Sequence, residues 1–193
     1  MKTLKTALVL IGVQKDYRGP SWGKAYPAQT EAEACMRKLL FEWRRHDLPV
    51  VHIREESEHP GSTTLRGEPE WEFLPFAEPL PGEIVVAKPH VCAFEDTGLQ
   101  AKLEEAQIGS LIIAGYTADR SVLVTAWTAH ELGYRPIVVS DASAAFDVAG
   151  YDERTYSAKE VHIRAMNGLS KFVTVTDTQS VLNSVLRPVV TTA

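Results

Sequence analysis

The feature that most constrains the fold is a series of continuous apolar runs, rich in β-branched residues, which helical patterns separate from one another. Runs that do not alternate with polar residues indicate strands buried on both faces, as in a parallel sheet. The sequence therefore predicts six strands: Ala7–Val13, Pro49–Arg54, Ile84–Ala87, Leu111–Gly115, Pro136–Ser140 and Phe172–Thr176.

Five segments between and after these runs have the spacing of amphipathic helices. They are Thr30–His46, Leu99–Ala106, Ser121–Leu132, Ser157–Leu169 and Gln179–Leu186. The first begins with Thr30 and Glu33, which resemble a capping box. Alternating strands and helices with short connections predict an α/β fold, a three-layer α/β/α sandwich with a doubly wound, mostly parallel sheet. Because no linker or repeat interrupts the pattern, we expect residues 1–193 to form a single domain.

Composition excludes several classes of partner. The formal net charge is -5, with 20 basic and 25 acidic residues, so no electrostatic footprint for nucleic acid is present. No segment of the sequence is long enough to span a membrane, and the apolar run at Ala7–Ile11 indicates a buried strand rather than a signal peptide. Cys35 and Cys92 lie too far apart in the sequence to suggest a metal pair, and the simplest interpretation is a reduced, cytoplasmic protein.

Four segments at predicted strand ends carry a recognisable pattern in the same order. They are Ala7–Tyr17, Val85–Phe94, Leu111–Ser121 and Gly133–Ala142. Together they resemble the isochorismatase-like cysteine hydrolase superfamily over nearly the whole chain. The resemblance implies a small-molecule substrate that bears a carboxylate or an amide, and a homodimer or larger homo-oligomer. The family's site lies at the carboxyl ends of the strands, as is usual for such sheets.

The resemblance also assigns three catalytic positions. Members of the family use an Asp to accept the thiol proton, a Lys to favour the thiolate and a Cys to attack the substrate. The corresponding residues here are Gly12, Lys88 and Ser121, so only the lysine is kept. Gly12 cannot act as a base, and the Ser121 hydroxyl would need an adjacent base to become a nucleophile. Alternatively, Ser121 caps the helix that follows it.

Six further residues are candidates for substrate binding, on their position beside these strand ends: Tyr17, His90, Cys92, Thr117, Asp119 and Arg120. If Lys88 and Arg120 both face the cavity, its net charge is positive and it suits an anion. Alternatively, Arg120 points to the surface or to a subunit interface. Cys92 is either a thiol activated by Lys88 or a small buried apolar residue. Lys88 itself could act as a base or an amine nucleophile.

The long irregular segment Ser57–Pro81 is expected to serve the site, because loops of this length in compact domains are usually functional. Some members of the superfamily bind zinc through an Asp-x-His pair. The segment after the second strand, His52–His59, contains no such pair, so we predict neither a metal nor a cofactor. The family commonly has a cis peptide before the nucleophile turn, and the matching bond is Tyr116–Thr117.

Three functions stay open from the sequence. The first is a divergent hydrolase that acts on a small anionic or amide substrate without a thiol. The second is a catalytically inactive pseudoenzyme that binds a small molecule or pairs subunits, and the third is a serine-based amidohydrolase using Ser121. A carboxylate of Glu55, Glu56 or Glu95 that reaches the cavity near Lys88 would favour an enzyme, and its absence would favour a binding protein.

Overall fold

A seven-stranded sheet forms the centre of the computed structural model, which describes residues 4–185. The strands of the chain, two of which form a separate hairpin, are β1 (Lys5–Ile11), β2 (Ala25–Tyr26), β3 (Val50–Glu55), β4 (Ile84–Lys88), β5 (Ile108–Tyr116), β6 (Arg135–Phe146), β7 (Val148–Ala149), β8 (Thr155–Tyr156) and β9 (Thr174–Thr176). The helices are α1 (Gln29–Arg45), α2 (Leu99–Glu105), α3 (Leu123–Glu131), α4 (Ala158–Leu169) and α5 (Thr178–Val185).

The sheet has the order β4-β3-β1-β5-β6, with parallel pairing throughout these five strands. β9 pairs parallel to β6, and the short β2 pairs antiparallel to its far end. Chain order moves outward from β1 in one direction and then returns to its other side at β5. The predicted doubly wound topology is therefore confirmed, with the switch point between β1 and β5.

Two layers of helices cover the sheet because each of its faces is apolar. On one face, α1 and α5 pack against the sheet, α1 through residues such as Met36 and Trp43, both fully buried. On the other face, α2, α3 and α4 pack through residues such as Leu103 and Met166. The three-layer prediction, its six strands and its five helices are confirmed, except that Leu186 lies outside the described residues.

The capping prediction for α1 is wrong. This helix begins at Gln29, after Ala28, and no side chain caps it. Thr30 is therefore already inside the first turn, where its hydroxyl cannot take the capping position. A capping box is present instead at the start of α4, where Ser157 and Glu160 bond to each other's backbone N–H groups.

The segment between β3 and β4 is irregular, as predicted, and it lies over the carboxyl ends of β1 and β3. The buried side chain of Gln14 links this segment to the ends of β1 and β3. Its Nε2 donates to the carbonyls of Glu55 (3.0 Å) and Trp71 (2.9 Å), and its Oε1 accepts from the Glu55 N–H at 2.6 Å. The Thr63 hydroxyl donates to Asp16 at 2.6 Å and ties the loop to the turn after β1. Between residues 4 and 185, no helix is long and apolar enough to cross a membrane.

Candidate active site

The carboxyl ends of four neighbouring strands bring the predicted positions together. β1 leads into Gly12, β3 ends at Glu55, β4 ends at Lys88, and β5 leads through Tyr116 to the turn that carries Ser121. Because parallel strands share one direction, these residues lie along the same edge of the sheet.

Three side chains form a closed triangle of hydrogen bonds at this edge. Lys88 Nζ lies 2.9 Å from Glu55 Oε1 and 3.2 Å from Ser121 Oγ, and Ser121 Oγ donates to the same Glu55 oxygen at 2.9 Å. Lys88 also donates to the carbonyl of His90 at 3.0 Å, so all three of its N–H bonds have partners. Its side chain is only 1% exposed, whereas that of Glu55 is 30% exposed. Solvent therefore reaches the triangle at the Glu55 carboxylate.

The environment of Glu55 favours its ionised form. Burial alone would raise the pKa of its carboxyl, but the Lys88 charge and hydrogen bonds from Lys88 and Ser121 outweigh burial and lower the pKa below its ordinary value. Glu55 is thus a carboxylate at neutral pH. It is held beside a hydroxyl that donates to it, which is the arrangement that proton transfer requires.

Tyr17 occupies the space beside Gly12. Gly12 has a positive φ of 62°, and a Cβ placed on it would lie 2.9 Å from Tyr17 Cε2 and 2.9 Å from the carbonyl oxygen of Tyr116. Real Cβ atoms do not approach other atoms this closely. The phenol end of Tyr17 therefore fills the volume that a carboxylate at position 12 would need.

Ser121 lies in a turn of π-helix, Ala118–Val122, that precedes α3. Its side chain is buried, and the carbonyl of Thr117 accepts the N–H groups of Arg120 (3.3 Å) and Val122 (3.0 Å). The Tyr116–Thr117 peptide bond is cis. These bonds orient Ser121 toward Lys88 and Glu55 and occupy two of the backbone donors of the turn.

A cavity of about 260 Å³ is lined by two members of the triangle, Glu55 and Lys88, whereas Ser121 is buried and does not line it. The loop after β3 contributes Ser57, Ser62 and Thr64 to the lining. The remaining lining residues are Glu56, Pro89, His90 and Val91. A cavity of this volume, lined by hydroxyl groups, suits a small polar molecule or one end of a larger molecule.

Arg120 and Asp119 line a different cavity, of about 330 Å³, together with Trp22 and Phe146. The Arg120 guanidinium lies 5.3 Å from the centre of the Trp22 ring and is about half exposed. Lys88 and Arg120 thus line different cavities, so the condition for a net positive pocket formed by both is not met. Glu55 neutralises Lys88, and Arg120 faces other residues.

The two remaining candidates take peripheral places. His90 contributes its carbonyl to Lys88, while its ring lies at the surface, 3.3 Å from Asp96. Cys92 is buried, and its thiol contacts the Thr128 hydroxyl at 3.4 Å. Within the described part of the chain, no group of three or more His, Cys, Asp or Glu side chains is placed to hold a metal ion.

From the sequence, Glu55 is only one of three carboxylates within reach of the predicted cavity. The structure places Glu55 there, whereas Glu56 pairs with Arg66 at the cavity wall. One signal could have selected it, because Glu55 directly follows the second apolar run and so ends a strand beside β1. No comparable pattern in the sequence indicates the contact of Tyr17 with Gly12.

Comparisons with known proteins show the family to which the chain belongs. The Isochorismatase domain model matches residues 6–180. A crystal structure of an isochorismatase-family hydrolase from Chromobacterium violaceum is 34% identical, covers 95% of this chain and 98% of its own, and has a TM-score of 0.89. The isochorismatase family protein YrdC of Bacillus subtilis is 26% identical over 95% of this chain and 97% of its own length. Streptothricin hydrolase of Streptomyces noursei is 34% identical over 74% of this chain, which spans 50% of that protein. The chain belongs to the isochorismatase family.

Proposed function

We propose that this protein is a hydrolase that cleaves an amide or closely related bond of a small molecule, with Ser121 as its nucleophile. The observation that carries the proposal is the triangle of Ser121, Glu55 and Lys88. Nucleophile, proton acceptor and cation lie within 3.2 Å of one another at the family's site. Such a constellation fits the requirement that a serine has an adjacent base.

In the first step, the Ser121 oxygen attacks the carbonyl carbon while its proton passes to Glu55. A substrate in the cavity covers the exposed side of the Glu55 carboxylate and removes its remaining water. Desolvation raises the proton affinity of a carboxylate, so substrate binding makes Glu55 a better acceptor. The tetrahedral intermediate then collapses, the carbon–nitrogen bond breaks, and Glu55 returns the proton to the leaving nitrogen.

Lys88 stabilises the negative charge as it moves. In the resting site the ammonium group bonds to the carboxylate, and it also contacts the serine oxygen at 3.2 Å. When the proton reaches Glu55, the charge on that residue disappears and a charge develops on the substrate oxygen. A fixed cation within reach of both places is favourable in a site of low dielectric. This role is important because two backbone N–H groups of the turn, those of Arg120 and Val122, already bond to the Thr117 carbonyl and are not free to bind the substrate oxygen.

The second step releases the acyl group. A water molecule attacks the acyl–serine ester and gives its proton to Glu55. The carbon–oxygen bond to Ser121 then breaks, and the serine oxygen recovers that proton. The overall reaction consumes one water and yields an acid and an amine, so no oxidant, reductant or other co-reactant is needed.

The relatives support a small molecule as substrate. One of them is named for the hydrolysis of streptothricin, which makes streptothricin a candidate for direct assay. The cavity of about 260 Å³ admits only part of a large ligand. We therefore propose that the scissile bond enters this cavity while the rest of a larger substrate stays outside.

The test uses a fluorophosphonate probe, which forms a covalent bond to activated serines, together with turnover of streptothricin and a panel of small amides and esters. We expect the probe to label Ser121 and the Ser121→Ala variant to lose labelling and at least about 10³-fold in kcat/KM. Ser143→Ala is the matched control, because Ser143 is also a buried serine. The control should keep both signals.

Two results would contradict the proposal. Labelling of Cys92 by iodoacetamide with loss of turnover would assign the chemistry to a thiol. Thermal stabilisation by a panel compound, with neither labelling nor hydrolysis, would assign the protein to the class of small-molecule binders.

A further inference from the structure

We propose that the cavity of about 330 Å³ beside the turn that carries Ser121 binds a small organic cation, a primary amine or a guanidine. Its lining combines two carboxylates, Asp119 and Asp147, with the aromatic rings of Trp22 and Phe146. Binding at this place does not depend on the proposed reaction. Its further role, as the subsite that selects amine-bearing substrates, rests on the proposed function, because the turn that contains Asp119 also carries Ser121.

Trp22 and Phe146 form an aromatic wall of this cavity. Their ring centres lie 5.0 Å apart, with the planes inclined at 44°. The indole is held in place because its Nε1 donates to the buried carboxylate of Asp16 at 2.9 Å. Phe146 is buried, whereas Trp22 is only half-buried. The wall is therefore fixed before a ligand arrives, and the face of an indole is the aromatic surface that attracts a cation most strongly.

The carboxylate of Asp119 has few partners for a group with so little exposure. Its side chain is 19% exposed, and within residues 4–185 it accepts no hydrogen bond. Arg120 Nε lies 3.9 Å from it, beyond hydrogen-bond distance. Asp119 lines both this cavity and a neighbouring one of about 520 Å³, so a donor in either cavity can reach it. A charged N–H donor is the partner that a carboxylate in such a place binds most strongly.

Arg120 shows which kind of group fits this cavity. Its guanidinium lies 5.3 Å from the centre of the Trp22 ring and 3.9 Å from Asp119, so a cation of the chain itself is near both groups. Both distances are close to the upper limit for their kinds of contact. The Arg120 side chain is 54% exposed and donates no hydrogen bond within the described part of the chain. A ligand cation can therefore approach the carboxylate and the indole more closely while Arg120 turns outward.

The charge of the lining favours a cation over an anion. Asp147 contributes a second carboxylate, whose Oδ1 accepts the Ala158 N–H at 2.7 Å. Its Oδ2 accepts no hydrogen bond from residues 4–185. Two carboxylates and one guanidinium give the lining a net charge of −1. An anion would meet this excess of negative charge, whereas an amine binds Asp119 and the indole face together.

Binding is tested with benzylamine and benzoate, which carry the same ring and opposite charges. Calorimetry gives the two Kd values, and the indole N–H signal of Trp22 in ¹⁵N NMR locates the ligand. We expect benzylamine to shift this signal and to bind at least about tenfold more tightly than benzoate. Asp119→Asn should weaken benzylamine about tenfold, because it removes a charged acceptor. Asp47→Asn is the matched control, since Asp47 lines a cavity at the opposite end of the sheet, and it should leave the Kd unchanged.

Arg120→Met separates a cation site from an anion site. Loss of the guanidinium removes a competing positive charge, so the affinity for benzylamine should rise about threefold or more. The exposure of Arg120 makes this variant suitable even if Asp119→Asn does not fold. Three results would overturn the proposal: tighter binding of benzoate than of benzylamine, an unchanged benzylamine Kd in Asp119→Asn, or weaker benzylamine binding in Arg120→Met. Absence of benzylamine binding would do the same.

The subsite role is tested on pairs of amides that differ only by an amino group. We expect the amine-bearing member to have a kcat/KM about tenfold higher, and Asp119→Asn to remove this preference while Asp47→Asn keeps it. Equal kcat/KM values for the two members would overturn the subsite role. The NMR titration needs no turnover, so failure of the proposed function would appear separately, as absent labelling of Ser121.

Discussion

The ends of β1 and β3 lie side by side in the sheet, yet they contribute opposite features to the site. At the end of β1 stands Gly12, which has no side chain and is covered by the ring of Tyr17. At the end of β3 stands Glu55, whose carboxylate contacts Lys88 and Ser121. The family's pattern has its acid on the first of these strands. In the proposed reaction the carboxylate comes from the second.

Simple dimensions explain how such an exchange is possible. Neighbouring strands lie about 4.8 Å apart, and Glu is one methylene longer than Asp. A glutamate on the adjacent strand can therefore bring its oxygens to a point near the one that an aspartate on β1 would reach. The comparison teaches that a site can keep its carboxylate although the expected position has lost it.

The largest effect is expected from removing the charge of Glu55 at the end of β3. We expect Glu55→Gln to lower kcat/KM by about 10²–10⁴-fold, because the proton of Ser121 then has no acceptor. Glu83→Gln is the control, since this carboxylate pairs with Arg44 and His52 at the start of β4, the opposite end of the strand from Lys88. Steady-state kinetics on any substrate found by the panel measure both. Equal activity of Glu55→Gln and the unmodified protein would show that Glu55 is not the proton acceptor, and the acceptor would then have to be sought near the end of β1.

The next largest effect is expected from Lys88→Met. Loss of the cation removes its stabilisation of the developing charge and lowers kcat by about 10²–10³-fold. It also leaves Glu55 with a poorer set of partners, so the unfolding midpoint should fall as well. Lys15→Met removes a lysine that is paired with Glu72 at the surface, and it should change neither quantity. A Lys88→Met variant that keeps full activity would show that the triangle is structural only.

A matched pair of glycine substitutions sharpens the comparison on the β1 side. Gly12 and Gly98 have similar φ values, 62° and 66°, but nothing lies within 4 Å of a Cβ on Gly98. We expect Gly98→Ala to cost about 1–2 kcal/mol from its backbone conformation alone. Gly12→Ala should cost about 1–3 kcal/mol more because its Cβ meets Tyr17 and Tyr116. Equal losses of unfolding free energy for the two variants, measured by chemical denaturation, would show that the Tyr17 ring moves aside.

The smallest expected effect is on the acid stability of the fold. The folded-state pKa of Glu55 is lowered, so its contribution to stability is complete above the unfolded pKa of about 4.3 and is lost as pH falls through the folded value. Glu55→Gln has no such group. Its free energy of unfolding should therefore decline less than that of the unmodified protein between about pH 5 and pH 3. Parallel curves for the two proteins would contradict an ion pair at this position.

The layers of the fold follow from the sequence because burial on both faces of a parallel strand leaves a continuous apolar run. The identity of the acid that reaches the site follows less directly from the sequence. Glu55 and Glu56 are adjacent and both line the cavity, so the choice between them depends on the register of β3 with β4, which places Glu55 opposite Lys88. Likewise, the contact between Gly12 and Tyr17 depends on the turn at Lys15–Arg18 that folds the chain back. The spacing of residues in the sequence does not predict that turn.

The amide of Gln14 has a consequence for how such a protein can change. It binds the N–H and the carbonyl of residue 55 as another strand would, so the backbone there is held whatever side chain it carries. A substitution at that residue leaves its anchorage intact, and new chemistry can be tried at the end of β3 without first rebuilding its support. The carboxylate at the end of β3 thus rests on a backbone support that does not depend on the side chain there.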